Sequence, residues 1–178
     1  MYNSQLGYFL KDCQRAVNYR YLSLILFIFT RPFLAILIYR IEHGFYLMFG
    51  KAYTVVRVLF YPLLKFLEII TNTEIHYKAS IGPGFKILHA PNGVVISRHA
   101  KIGKNLTLTG GNIIGIKSDD VVEKQISIGD DCSLGGNAVI IGPLTLGNNI
   151  TIGAMALVNK SFNSGAILIG VPARNIKQ

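Results

Sequence analysis

The sequence predicts a mainly β fold: a solenoid of very short strands with an α-helical segment in front of it. Three observations carry that prediction. Ile128, Leu134, Ile140, Leu146, Ile152 and Val158 recur every six residues. Gly129, Gly135, Gly147 and Gly153 each directly follow one of these aliphatics, with Asn, Asp, Thr and Ser filling most of the remaining positions. A helix repeats its apolar face every 3.6 residues and a half-buried strand every two, so a strict six fits neither. It fits short strands that turn corners at small residues and point their aliphatics at a shared axis.

The phase extends backwards through Ile75, Ile81 and Ile87, and again through Ile96, Ile102, Leu108 and Ile114. Two intervals break it. Ile87 to Ile96 is nine residues rather than six, and Ile114 to Ile128 is fourteen, read as two more than twelve. A solenoid accepts additions as surface loops, which commonly carry function. The first break holds Leu88-His89-Ala90-Pro91-Asn92-Gly93, and the second contains the polar run 117–125 with Asp119, Asp120, Glu123 and Lys124. Beyond Val158 the phase is lost. Ala166 to Gly170 is expected to form a final strand and Val171 to Asn175 a turn.

Residues 1–72 are expected to be a separate helical segment, and residues 73–178 the solenoid domain with its closing segment. Met1 to Arg20 suits a short amphipathic helix. Tyr21 to Phe29 and Phe33 to Tyr39 are apolar runs interrupted by Arg31-Pro32, where Pro32 is expected to break or kink a helix. Together the runs reach membrane-spanning length, but Arg31 would cost about 2.5–3.5 kcal/mol near mid-bilayer, so a span is not expected. No small-x-small cleavage site follows them, so a secretory leader is not expected either. From Arg40 to Thr71 the spacing is helical, with Gly44 and Gly50 as breaks and His43 at a helix end. This segment is expected to cap the solenoid, and its apolar face reads either as a bundle packing on itself or on the solenoid end, or as an interfacial membrane patch.

Composition sets further bounds. Hydrophobic residues make up 51% of the 178, and the formal charge is +9. Because the cations are dispersed, with no recognition helix or zinc-finger spacing, no nucleic-acid partner and no metal are expected. In residues 1–73 basic residues outnumber acidic ones and interleave with apolar residues, which suits an anionic membrane surface. Cys13 and Cys132 are isolated thiols, consistent with a reducing, cytoplasmic compartment at the inner face of a membrane.

The repeats, the stretch Gly93-Val94-Val95-Ile96 preceded by a histidine, and the terminal Gly170-Val171-Pro172-Ala173-Arg174 resemble the hexapeptide-repeat acyltransferases. Within them the sequence is most similar to the serine acetyltransferase-like branch, which also holds bacterial O-acetyltransferases of capsular and exopolysaccharide sugars. The likeness covers residues 73–176 well and 1–72 loosely. It implies a left-handed parallel β-helix, a homotrimer or a pair of trimers, and acetyl-CoA bound between neighbouring coils as acetyl donor.

The family's catalytic histidine stands two residues after the aliphatic of its coil, which here is His89 after Ile87. Counting back from Gly93 instead reaches Ala90, because the loop carries one extra residue; the unbroken phase from Ile75 favours His89. A histidine, with its ordinary pKa near neutrality, can take the acceptor hydroxyl's proton and return it to the leaving thiolate. The acidic residue that orients it in the family corresponds to Glu74, one methylene longer than the usual Asp. Gly110 and Gly111 are expected to offer backbone N–H groups to the oxyanion, with Asn92 beside the acceptor. Gly135, Gly136, Gly153 and Ala154 are expected to admit the pantetheine arm, or only to turn corners. Lys160, Arg174 and Lys177 are expected to face the CoA phosphates. His76 is expected to be structural or substrate-facing, and His99 a solvated corner. The 117–125 run reads as a flap beside the acceptor or as an inert loop.

Two departures bear on the acceptor. Leu88 stands where serine acetyltransferases carry an Asp, and Gly110-Gly111 where they carry an Arg-His or Gln-His pair. The expected function is therefore O-acetylation of a sugar hydroxyl of a surface polysaccharide or its precursor. Serine or amino-sugar acetylation and a non-catalytic trimeric scaffold are the alternatives.

Overall fold

The computed structural model describes residues 4–18, 21–117 and 125–177. Five helices lead: α1 (Gln5–Ala16), α2 (Tyr21–Phe27), α3 (Arg31–Phe49), α4 (Lys51–Val56) and, after a 3-10 turn at Arg57–Phe60, α5 (Tyr61–Thr71). Pro32 lies in the first turn of α3, where its missing N–H costs nothing, and Thr30 caps that helix by accepting from the Phe33 amide at 3.4 Å. The expected break at Pro32 is thus a helix start. Gly44 does not interrupt α3, because its neighbours Tyr39, Arg40 and His43 hold the turn against the solenoid; Gly50, at φ +53°, does end it.

The strands, numbered in chain order, build three parallel sheets around one axis. The first sheet stacks β1 (Thr73–Ile75), β4 (Val94–Ile96), β7 (Asn112–Ile116), β10 (Val139–Gly142) and β13 (Leu157–Val158). The second stacks β2 (Ser80–Ile81), β5 (Ala100–Ile102), β8 (Ile126–Ile128) and β11 (Leu144–Leu146). The third stacks β3 (Lys86–Ile87), β6 (Thr107–Leu108), β9 (Ser133–Leu134), β12 (Thr151–Ile152) and β14 (Ile167–Ile169), closed by β15 (Arg174–Asn175).

The registers measure the coil and its extrusions. Val94 pairs with Asn112 and Ser133 with Thr151, each 18 residues on, so three hexads complete a turn. Thr73 pairs with Val94, which makes the first extrusion three residues. Ile114 pairs with Ile140, 26 residues on, so the second extrusion is eight residues, not two. The count of twelve was wrong because Ile128 lies on the sheet after that of Ile114, one hexad away rather than two. At the end of the chain, Arg174–Asn175 is a strand antiparallel to β14 rather than part of a turn.

The six-residue aliphatics from Ile81 to Val158 are all buried and form a single core. Each such side chain contributes about 1.5–3 kcal/mol on burial. Ile36 and Tyr39 of α3 join the same core, so the helices close the open end of the solenoid. A buried ion pair fastens them there. Arg40 Nε donates to Asp12 Oδ2 at 2.8 Å, Arg40 Nη1 and Nη2 donate to the Ile81 and Gly82 carbonyls at 2.7 Å, and the Phe85 amide donates to Asp12 Oδ1 at 2.8 Å. One pair thus joins α1, α3 and the first coil. Arg15 adds bonds to the Gly84 and Leu106 carbonyls.

Two histidines belong to this junction. His43 lies inside α3, buried, not at a helix end; its Nδ1 lies 2.8 Å from the Tyr77 carbonyl and must be the donor, since a carbonyl only accepts. Burial lowers its pKa. His76 stacks on Tyr77, its Nδ1 accepts from the Lys78 amide, and burial, aided by Arg57 and Lys78, pushes its pKa down to about 4. A histidine with a depressed folded pKa favours folding fully above its unfolded pKa, near 6.5, and loses that contribution as pH falls towards 4. The unfolding midpoint is therefore expected to drop between pH 6.5 and 4, and the His76→Asn variant to show a shallower drop in calorimetric scans.

Candidate active site

The first extrusion is a well-held loop. The His89 amide donates to the Thr109 carbonyl at 2.9 Å, and the His89 carbonyl accepts from Asn92 at the end of a 3-10 turn, Ala90–Asn92. Asn72, just after α5, donates its side-chain amide to the Pro91 carbonyl at 2.9 Å. Ala90 is buried, so it serves as the foot of the loop and cannot replace His89. The His89 side chain is exposed, and among the described residues its ring makes no hydrogen bond.

Gly110 and Gly111 sit beneath this loop. A Cβ on Gly110 would fall 2.3 Å from the His89 carbonyl oxygen, and both glycines have positive φ. Their amides, however, are engaged: Gly110 donates to Asn112 Oδ1 at 2.9 Å and Gly111 to the Gly93 carbonyl at 2.6 Å. They are therefore not the free oxyanion donors expected from the sequence; they let two coils approach. Buried Asn112 anchors the arrangement, donating to the Gly135 and Ala138 carbonyls of the next coil. The Asn92 side chain makes no such bond among the described residues.

A cleft of about 420 Å³ opens beside the loop, lined by Asn92, Gly93, Val95, Gly111 and Ile113 from the coils and by Lys65, Glu68, Ile69 and Asn72 from α5 and its end. Glu74 also lines it, in register with Val95. Among the described residues no hydrogen bond joins Glu74 to His89: both side chains are exposed, Glu74 on β1 of the first sheet and His89 on the turn that leads from the third sheet into the first. Lys65 Nζ donates to Glu68 at 2.6 Å, and its pKa is raised by that bond first and more weakly by Glu74. The α5 wall was missed from sequence because residues 40–71 were expected to cap the solenoid, without any indication of which of them would stand beside the His89 loop. The signal was the Lys65–Glu68 spacing next to Asn72.

The positions expected to bind CoA divide. A Cβ on Gly135 would meet the Ala154 nitrogen at 2.6 Å, and one on Gly153 would meet Ile169 Cγ2 at 2.9 Å, so coil stacking alone requires these glycines. Gly136 has no such crowding, its nearest neighbour being 3.9 Å away, and Ala154 is exposed; only these two leave room for a ligand. Lys160 lies over the Phe162 ring at 5.5 Å, Arg174 is exposed on β15, and Lys177 lines a polar cavity with Ser161, Ser164 and Asn175. His99 is half-buried and accepts from Arg98 Nε at 3.1 Å, so it is not simply a solvated corner. The 117–125 flap lies almost wholly outside the described residues, which resume at Gln125.

A three-sided parallel solenoid with an exposed histidine on its first extrusion defines a class, the hexapeptide-repeat β-helix. No protein-family model matches the chain. It is 34% identical over 122 residues to a serine acetyltransferase of Mycobacterium tuberculosis, covering 68% of this chain and 53% of the relative. It is 32% identical over 144 residues to a serine acetyltransferase of Bacillus pumilus, covering 81% of this chain and 63% of the relative. The chain therefore spans a little over half to under two-thirds of the length of these relatives. Among solved structures it is similar to Neisseria gonorrhoeae serine acetyltransferase in complex with serine, with a TM-score of 0.81 and 25% identity, covering 99% of this chain and 70% of that one. Soybean serine acetyltransferase shares the fold, with a TM-score of 0.81 at 22% identity over 97% of this chain and 69% of that one. The fold is thus a left-handed parallel β-helix behind an N-terminal helical segment. The comparisons support the hexapeptide-repeat acyltransferase family, on the side of the serine acetyltransferases.

Proposed function

We propose that the chain is an acetyl-CoA-dependent O-acetyltransferase whose acceptor is a hydroxyl compound carrying charge, an amino acid such as serine or an amino sugar. The observation that carries this reading is the cleft beside the His89 loop, in which Lys65, Glu68 and Glu74 stand together. An ammonium could meet Glu74 and share Glu68 with Lys65, and the carboxylate of an amino acid could share Lys65 with Glu68, so such an acceptor needs neither the Asp that Leu88 replaces nor a pair at Gly110-Gly111. The naming of its relatives as serine acetyltransferases points the same way.

In the reaction, His89 accepts the proton of the acceptor hydroxyl as its oxygen attacks the thioester carbonyl carbon. The C–S bond of the tetrahedral intermediate then breaks, and the imidazolium returns the proton to the thiolate. Asn92 is the side-chain donor available to the oxyanion, and Glu74 the carboxylate that would orient the imidazole with substrate in place. Gly136 and Ala154 would border the donor, with Lys160, Arg174 and Lys177 towards its phosphates. A homotrimer suits the outward column Val95, Ile113, Val139 and Leu157 on the first sheet, whose first two members are 39% and 42% exposed.

A sugar hydroxyl is the second reading, favoured by Leu88, which is 43% exposed and places no charge beside His89. The Glu68→Gln variant separates the two. Losing a charge-assisted bond to the ammonium should raise KM for L-serine by on the order of tenfold with kcat little changed. Transfer to a neutral sugar in preference to serine, with KM indifferent to Glu68→Gln, would overturn the first reading in favour of the second.

A further inference from the structure

We propose that the helical segment seats the protein on an anionic lipid surface through an apolar double groove, without crossing the bilayer. Two adjacent cavities of about 430 and 440 Å³ run along the helices. The first lies between α1 and α3 and the second between α3, α4 and α5; Ile41 and Phe45 of α3 line both and form the ridge between them. Met48, which lines the first, is 73% exposed, and Val55 and Leu59, each next in the chain to a residue lining the second (Val56 and Phe60), are 72% and 80% exposed. So much contiguous apolar surface marks an interaction site rather than ordinary solvent-facing helix.

The charges choose the occupant. Each acidic side chain on the described helical residues is already matched by a cation: Asp12 by Arg40, Glu42 by Arg57 and Glu68 by Lys65. Lys11, Arg31 and Lys51 have no acidic partner among the described residues. Each stands within two residues of an exposed apolar side chain: Leu10 at 55%, Phe29 at 86% and Phe49 at 53%. Basic heads on aliphatic stems beside exposed aromatics suit the headgroup boundary, where the stem packs on hydrocarbon and the charge meets phosphate. A second copy pairing the same face would bring these cations together with no acid to neutralise them. None of the described helices is long and apolar enough to cross a membrane, so the segment lies on the surface. The paired grooves accept acyl chains on either side of the Ile41–Phe45 ridge.

The test is flotation of the full chain with phosphatidylcholine vesicles, with and without about one-third phosphatidylglycerol. Binding to the anionic vesicles is expected to be on the order of tenfold or more tighter than to neutral ones, and to weaken with salt. M48S/V55S/L59S and, separately, R31E/K51E should each reduce it by a similar factor. These side chains are exposed, so circular dichroism and the unfolding midpoint should be unchanged; should the triple variant unfold, the charge variant still decides. Wild-type protein that stays with the unfloated fraction, or vesicle binding indifferent to R31E/K51E, would overturn the proposal. Failure to float, combined with a mass that doubles in sedimentation velocity and is halved by M48S/V55S/L59S, would assign the face to a second copy instead.

Discussion

The His89→Ala variant is expected to lose acetyl transfer by about 10²–10⁴-fold while keeping its unfolding midpoint. The exposed ring makes no hydrogen bond among the described residues, and the loop is held by backbone groups and by Asn72, none of which the substitution touches. Stability and activity should therefore separate cleanly. Acetyl-CoA binding, measured by calorimetry, should persist, because the positions assigned to the donor lie on later coils. Unchanged activity in His89→Ala would remove the base from the mechanism. Glu74→Gln should then show a smaller loss, larger in kcat than in KM, since a carboxylate that orients the base acts on the chemical step.

The second large effect concerns folding. Asp12→Ala is expected to cost about 3–5 kcal/mol, because it strands the Arg40 guanidinium in the interior. Asp12 is fully buried and Arg40 only 2% exposed, so solvent cannot take over as partner. Unfolding in urea should show the midpoint falling with little change in m. Arg40→Met alone should be destabilising too, and the double variant less so than the sum of the two, because removing both members leaves no orphaned charge. Additive losses would mean that the pair is not the joint holding the helices to the first coil.

Legibility from sequence followed the periodicity of each part. A coil of three hexads writes its core aliphatics at fixed intervals, so the solenoid and the two extrusions could be placed from Ile75 to Val158. The size of the second extrusion was misjudged because the count of six does not say which of three sheets a residue is on. The helical segment was readable as helix and as a cap, but which of its residues enter the solenoid core was not. Asp12, Arg40 and His43 look like surface residues in a linear sequence, and only their burial against Ile81, Gly82 and Tyr77 reveals them as a joint. Within the site, phase located His89, whereas the α5 wall depends on how the chain folds back. The expected glycine amides failed as oxyanion donors for a related reason: spacing locates a turn but does not say which carbonyl its N–H already meets.

Central to the proposed function is transfer of an acetyl group from acetyl-CoA to a hydroxyl acceptor beside His89. Release of free thiol from acetyl-CoA by the purified wild-type chain, followed with L-serine, amino sugars and neutral sugars in turn, tests this most directly. The predicted result is release that depends on the acceptor, is greatest with serine or an amino sugar, and is lost in His89→Ala. Absence of thiol release with every acceptor, together with no calorimetric binding of CoA, would contradict it and leave the β-helix a scaffold.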